Sequence, residues 1–141
     1  MFFGEYPYKL DEKGRVLVPP RFRQELKAGI VLIPGVEPYI MAYPLAEWKK
    51  LSAEVTTGPV NRSKLRKLNR ALFATAFYIN LDGQGRVALP APLREHAGIE
   101  DEVVVAGANT YLELWNKEKW EQEKASSQEQ AWQIIESLER Q

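Results

Sequence analysis

The sequence contains one motif twice. Residues 10–19 read LDEKGRVLVP, and residues 81–90 read LDGQGRVALP. The match continues in register at three more positions of each copy, which are Phe2, Tyr6 and Arg23 in the first and Phe73, Phe77 and Arg94 in the second. A unit this small usually cannot bury its apolar face alone, so we expect the two copies to pack on each other. The chain is therefore predicted to be one body made of two related halves.

Composition limits the class of protein. The chain has 141 residues, of which 45% are hydrophobic, and this is enough for one core. No apolar run is long enough for a membrane span, and the N-terminus has no readable secretory signal. Cysteine is absent, which excludes disulfides and thiolate metal sites. We expect a cytoplasmic protein without a cofactor, a metal, a membrane partner or a small-molecule substrate.

The charge is neutral overall but divided along the chain. Residues 1–94 hold 15 Lys and Arg against 8 Asp and Glu, whereas residues 95–141 hold 4 against 11. Such asymmetry favours a basic surface for nucleic acid or an acidic surface for a partner. It is also compatible with helix surfaces that simply differ in sign, and the charge alone leaves these interpretations open.

Each copy is predicted to contain the same order of elements. Aromatic strands at 3–9 and 73–80 lead into the repeated motif, and short helices at 21–27 and 93–97 follow it. A hairpin of β-branched residues comes next in each copy, which suits a small closed barrel buried on both faces. Further helices are predicted over 45–55, 62–73 and 117–141, the last with a polar surface.

The repeated Asp-x-x-Gly-Arg loops are the candidate functional site. Gly14 and Gly85 permit a positive φ and hence a tight turn, and Asp11 and Asp82 can accept hydrogen bonds from amides two or three residues on. An arginine held on such a stiff loop can make bidentate contacts with phosphate or guanine. The candidate DNA-binding residues are Arg15, Arg86, Lys13, Lys9 and Gln84. Arg21 and Arg23 add positive charge near the first loop.

Other interpretations of these residues stay open. The aspartates and arginines could simply be ion pairs that close a turn, which we favour for the aspartates but not for the arginines. Asp11 and Asp82 could also form the acid dyad of an aspartic hydrolase, although an arginine near each carboxylate would keep both ionised. Alternatively, the chain is a charge-driven assembly module, in which the basic row Arg62, Arg66 and Arg70 meets the acidic end of a neighbouring subunit.

Five segments carry a family resemblance, namely residues 1–6, 10–15, 43–48, 81–86 and 99–120. They resemble the MraZ family of bacterial regulators, which contain two AbrB-like half-units. The resemblance implies an α+β fold with a swapped-hairpin AbrB-type β barrel formed by both repeats, capped by helices. It also implies a ring-shaped homo-oligomer, associated with the nucleoid, that binds double-stranded promoter DNA. The implied role is regulation, usually repression, of the division and cell-wall gene cluster.

In that family the Asp-x-x-x-Arg signature contacts DNA, which points to Asp11 with Arg15 and Asp82 with Arg86. The second loop is less cationic because Gln84 stands at the position equivalent to Lys13. A ring would link many weak contacts, so repeated short DNA boxes are the expected target.

The chain is expected to divide into four parts. These are repeat one at 1–53, a linking basic helix at 54–72, repeat two at 73–121, and a polar C-terminal helix or tail at 122–141.

Overall fold

Antiparallel strands and four α-helices build the part of the chain that a computed structural model describes, residues 1–140. The strands are β1 Glu5–Lys9, β2 Arg15–Leu17, β3 Ile30–Pro34, β4 Ile40–Pro44, β5 Phe77–Ile79, β6 Arg86–Ala88, β7 Glu102–Gly107 and β8 Leu112–Asn116. The helices are α1 Leu45–Thr57, α2 Arg62–Leu68, α3 Ala91–Ala97 and α4 Lys117–Glu139. The predicted α+β class is confirmed.

The two repeats exchange strands. Six strands form one sheet in the order β1-β7-β8-β4-β3-β5, so that the first strand of each repeat pairs with the hairpin of the other. Thus Tyr6 lies opposite Val105, and Leu32 lies opposite Phe77. The short strands β2 and β6, which follow the two loops, form a separate antiparallel pair. Neither repeat completes its own sheet.

One core is shared by both repeats. Leu32 and Ile40 of repeat one and Val103 and Leu112 of repeat two are all essentially inaccessible to solvent and belong to one hydrophobic cluster. Strands β3 and β7 show little alternation because both of their faces are buried, whereas β1 and β4 alternate between more and less buried residues. The predicted dependence of each half on the other is therefore visible in the packing.

The helix predicted at 21–27 is wrong. The chain forms a 3₁₀ turn at Pro20–Phe22 and continues through turns closed by hydrogen bonds between residues three apart, such as Leu26 N–H to Arg23 O at 3.2 Å. This tighter path brings both Phe22 and Leu26 into the core. In repeat two, the equivalent segment forms the regular helix α3, which ends at Gly98 in the left-handed conformation.

The strand predicted at 73–80 begins later than expected. Helix α2 continues through a π-helical turn, Asn69–Phe73, and β5 starts only at Phe77. Phe73 packs edge-on against Trp48 of α1, with 5.3 Å between ring centroids. The aromatic residue that marks the start of the repeat is therefore used to pack the two helices together.

The helices cross the expected division of the chain. Helix α1 runs through residue 53, and α4 runs through residue 121 and ends at Glu139. Gln141, the last residue of the predicted tail, lies outside the described residues. Among residues 1–140, no helix combines the length and apolar character needed to cross a bilayer.

Strand exchange predicts that the repeats unfold together. Leu32→Ala should lower the free energy of unfolding by about 2–5 kcal/mol, because the side chain is completely buried between both repeats. Denaturant unfolding followed by tryptophan fluorescence, which reports Trp48 of repeat one together with Trp115, Trp120 and Trp132, should show one transition at lower denaturant. Val36→Ala, at a side chain that is 90% exposed, is the control and should change little. Two separate transitions would contradict the shared core.

Candidate nucleic-acid interface

The two repeated loops have the same backbone conformation. In the first, the amide of Asp11 donates to Arg15 O at 2.9 Å, and the amide of Gly14 donates to Asp11 O at 3.0 Å. The corresponding bonds in the second loop, between Asp82 and Arg86 and from Gly85 to Asp82, have the same lengths. Both glycines have positive φ, at 72° and 76°. A tight turn that only glycine adopts easily therefore precedes each arginine.

The aspartate carboxylates hold these turns. Asp11 Oδ1 accepts hydrogen bonds from the amides of Lys13 and Arg15, both at 2.9 Å. Asp82 Oδ1 accepts from the amides of Gln84 and Arg86, again both at 2.9 Å. Because the same oxygen serves two amides, each loop is fixed from within.

The loops lie side by side at the ends of the β2–β6 pair. The amide of Val18 donates to Gly85 O, and the amide of Leu89 donates to Gly14 O, both at 2.9 Å. The two bonds are equivalent under exchange of the repeats. The two copies of the motif therefore form one surface with approximate twofold symmetry.

A cluster of four charged side chains joins the loops. Within each loop the arginine Nε donates to aspartate Oδ2, at 2.7 Å for Arg15 to Asp11 and 2.8 Å for Arg86 to Asp82. Between the loops, Nη1 of Arg86 lies 3.5 Å from Asp11 Oδ2, and Nη1 of Arg15 lies 3.8 Å from Asp82 Oδ2. The two arginine side chains are still 27% and 24% exposed. They are held in place and also reach solvent.

The surroundings of the carboxylates keep them ionised. The pKa of Asp11 lies below its ordinary value, mainly because the Arg15 amide donates to the carboxylate, with the Arg15 side chain and the Lys13 amide adding to the effect. The pKa of Asp82 is lowered in the same way, first by the Arg86 amide. A hydrolytic dyad needs one carboxyl to retain a proton, and these two carboxyls are both shifted toward release.

A second pair of arginines, Arg23 and Arg94, packs across the loops, and the sequence repeat indicated only that the two positions are equivalent. The guanidinium of Arg94 lies where a side chain at Gly14 would extend, and that of Arg23 lies where a side chain at Gly85 would extend. Their Nε atoms donate to Leu89 O and Val18 O, each at 3.0 Å. Both glycines thus make room for an arginine of the other repeat. The register match between Arg23 and Arg94 was the signal for this pair.

The remaining candidate residues lie in different places. Lys13 and Gln84 are exposed at equivalent positions on the two loop tips, beside the ion cluster. Lys9 is at the end of β1, opposite Glu102 on β7. Arg21 contacts the N-terminal segment, because Nη1 donates to the Tyr6 hydroxyl at 3.2 Å and the guanidinium lies over the Phe3 ring. That Arg21 adds positive charge near the first loop stays a prediction.

The described residues contain no metal-binding cluster, and the histidine has a structural contact. No group of three or more His, Asp or Glu side chains within residues 1–140 is arranged to hold a metal ion. The ring of His96 contacts the backbone carbonyls of Gly35 and Glu37 through Nε2, both at 3.0 Å. Its position is explained by this contact with the β3–β4 hairpin.

Comparison with known proteins identifies the family. A family model described as "MraZ protein, putative antitoxin-like" matches residues 1–70 and again residues 72–137. The chain belongs to the MraZ family. A protein of Dehalococcoides mccartyi named Transcriptional regulator MraZ is 62% identical over 140 residues, which is 99% of each chain. A protein of the same name from Herpetosiphon aurantiacus is 40% identical over 121 residues, covering 86% of this chain and 85% of its own.

The resemblance inferred from the motifs is thereby confirmed. MraZ relatives are named as transcriptional regulators and not as enzymes. The hydrolase interpretation of Asp11 and Asp82 is therefore wrong, in agreement with the lowered pKa of both carboxyls. The ion cluster is formed by the Asp and Arg side chains of the two copies of the repeated motif.

The packing at the MraZ loops predicts a large difference between two neighbouring glycines. Gly85→Ala should destabilise the protein by about 1–2 kcal/mol or more, because an alanine there is left-handed and also displaces the Arg23 guanidinium. Gly83→Ala is the matched control, since nothing lies within 4 Å of its added Cβ. Denaturant unfolding of both variants measures the difference. Equal stability of the two variants would contradict the described packing.

The lowered pKa values predict how the loops respond to acid. A carboxyl with a lower pKa in the folded state stabilises the protein fully above its unfolded pKa, and this contribution disappears as the pH falls through the folded value. Asp11 and Asp82 should therefore both titrate below about 3.9, the ordinary aspartate value. Carbon-13 NMR of the side-chain carboxyls measures this directly. A carboxyl of either residue that titrates above the ordinary value would contradict the ion cluster.

Proposed function

We propose that the protein is a sequence-specific DNA-binding transcriptional regulator, and that the paired loops are its DNA contact. The proposal rests on the ion cluster. Arg15 and Arg86 are held side by side there, on one symmetric surface, and both remain partly exposed. Guanidinium groups so placed can bind phosphate or the O6 and N7 atoms of guanine. The regulator function named for the relatives supports this proposal.

The aspartates influence how the arginines bind DNA. Each guanidinium already has its Nε occupied by a carboxylate, so the face that remains for a ligand is restricted to the Nη atoms. The carboxylates also reduce the local positive potential, which weakens attraction that depends only on phosphate charge. Recognition at the loops should therefore depend on the orientation of the guanidinium fork and hence on the base.

The two loops should contribute unequally. Lys13 at the tip of the first loop adds a positive charge, whereas Gln84 at the equivalent position of the second adds only a polar amide. Lys13 suits a phosphate contact, and Gln84 suits a base or sugar contact. Lys9, at the end of β1, adds a more distant cationic contact on the side of the first loop.

We also infer that the two sheets form the swapped-hairpin β barrel of the AbrB type. The exchange of β1 and β5 between repeats and the pairing of β2 with β6 support this interpretation. In such a barrel the loops are attached at both ends to strands of the shared core. Rigid attachment lowers the entropy cost when the arginines meet DNA.

At the level of the cell, the proposal is a cytoplasmic, nucleoid-associated repressor. Several chains would assemble into a ring and bind repeated short boxes in the promoter of the division and cell-wall gene cluster. Each contact surface has few cations, so linked copies are needed to convert later contacts into intramolecular ones. A ring bound to a promoter would exclude polymerase from the same DNA.

The proposal predicts that the two arginines are needed for binding through both charge and shape. Arg15→Lys/Arg86→Lys should keep non-specific binding but reduce discrimination by roughly 1–3 kcal/mol for each bidentate base contact. Arg15→Gln/Arg86→Gln should also make binding less dependent on salt. The slope of the logarithm of the binding constant against the logarithm of the salt concentration should become shallower by about one for each phosphate that an arginine no longer neutralises. Gel shifts on the upstream DNA and on scrambled DNA, across a salt series, provide the measurement.

The control for these variants is Lys49→Gln, which removes one cation on α1, away from the loops. It should bind both DNAs like the unmodified protein. Specific binding that survives in Arg15→Gln/Arg86→Gln would remove the loops as the DNA contact. Denaturant unfolding of each variant separates loss of binding from loss of the fold.

A further inference from the structure

The second half of α4 carries an uncovered apolar stripe. The helix has 23 residues, or about 34 Å at 1.5 Å per residue, and its first half packs on β7 and β8. Beyond that contact, Trp132 is 71% exposed, Ile134 57% and Leu138 65%. Ile135, which is 40% exposed, lies between Trp132 and the row of Ile134 and Leu138 around the helix and joins them into one apolar arc. An apolar surface of this kind that is open to solvent indicates an interaction site.

The stripe continues the face by which α4 docks on its own chain. At helical spacing, Ala131, Ile134 and Leu138 follow Trp120 and Lys124 on one side of the helix. Trp120 packs beside Trp115, and Lys124 forms an ion pair with Glu5 at 3.1 Å. The distal residues thus extend a docking face past the edge of the body that it docks on.

Acidic residues accompany the stripe. Glu129 and Glu136 lie one helical turn before and after Trp132, and Glu139 lies one turn after Ile135. Among the residues that the structure describes, these three carboxylates have no ion-pair partner. The surface is therefore apolar along its centre and negative on its Trp132 side.

Helices α1 and α2 present a surface of the opposite kind. All residues of both helices are described, and none of their side chains is fully buried. Their apolar rows are only half-buried, and they consist of Trp48, Leu51 and Val55 on α1 and Leu65, Leu68 and Leu72 on α2 and its continuation. Five exposed cations accompany these rows, namely Arg62, Lys64, Arg66, Lys67 and Arg70.

We propose that the distal half of α4 docks on the α1–α2 helix pair of a second copy of this chain. The two surfaces match in chemistry, since each combines an apolar row with charges of opposite sign. They also lie apart in one chain, because α4 packs on β7 and β8, whereas α1 packs on β3 and β4. The proposal deepens the self-association within the proposed function and rests on it.

A second copy fits the basic helix pair better than DNA does. Arg62, Arg66 and Arg70 are four residues apart and repel one another unless an anion offsets them. Both DNA and carboxylates supply anions, but a phosphate backbone would not bury the apolar rows that lie beside these arginines. A helix with its own apolar stripe covers the rows and neutralises the arginines together.

The docking is head to tail, and this determines which assemblies can form. The surface given by one copy differs from the surface that it receives, so each copy can bind two neighbours. Such heterologous contacts close into a ring when the rotation between copies divides a full turn, and otherwise they extend into a filament. The ring in the proposed function is the closed case, with the paired loops repeated around it.

Size-exclusion chromatography with light scattering, without DNA, tests the docking. Ile134→Ser/Leu138→Ser should shift the assembly toward monomers, with at least tenfold weaker association. Gln122→Ser/Gln133→Ser, exposed on a face of α4 that contains neither Ile134 nor Leu138, is the matched control and should leave the mass unchanged. These positions are exposed, so circular dichroism should show an intact fold in all variants.

Charge reversal identifies the partner surface. Glu129→Arg/Glu136→Arg and Arg66→Glu/Arg70→Glu should each weaken association, and the chain carrying all four changes should regain it. An assembly that neither pair alters would overturn the docking but leave the ring intact. Weakening by the α4 changes alone would mean that α4 pairs with itself and would also overturn it.

The remaining outcomes separate the docking from the DNA contact. If Arg66→Glu/Arg70→Glu weakens DNA binding but not assembly, the basic helix is a DNA contact and the docking is wrong. If the unmodified protein is a monomer at micromolar concentration, both the docking and the ring are wrong. The DNA contact at Arg15 and Arg86 is then judged separately, by the gel shifts.

Discussion

Exchange of strands between the repeats is the constraint on which the rest of the structure depends. Strand β1 completes the sheet next to β7, β5 completes it next to β3, and β2 pairs with β6. Each pairing joins one repeat to the other, so neither repeat forms the core without the other. The same exchange brings the two glycine loops together, because they begin the β2 and β6 strands. The candidate interface is therefore a product of the duplication.

The ion cluster fixes the orientation of the two arginines on this symmetric surface. Each arginine is bound by its own aspartate and lies near the aspartate of the other loop, which restricts its rotamers before any ligand arrives. At the exposed surface such pairs add little stability, so their main effect is on orientation. In the proposed function these carboxylates reduce the local positive charge, so DNA binding would depend more on the geometry of the guanidinium groups than on the net charge, which is zero.

Much of the fold could be predicted from the sequence because the repeat provided its own comparison. Matched glycines, aspartates and arginines predicted two equivalent loops, and the β-branched runs predicted buried strands. The segment after Pro20 was not predictable in this way, since its 3₁₀ path differs from α3 of the other copy. Phe73 was misleading because it occupies a strand position in the repeat pattern but packs on Trp48. The cross-loop contacts of Arg23 and Arg94 depend on which strands exchange, and local spacing does not contain that information.

The central claim is that the paired guanidinium groups on the loops meet the DNA. A structure of the assembled protein bound to its own upstream DNA tests it most directly. We expect the Nη atoms of Arg15 and Arg86 to lie within hydrogen-bond distance of bases or phosphates, with the two loops of one chain on the same duplex. A duplex held by another surface, with both loops facing away from it, would show that these arginines are not the DNA contact.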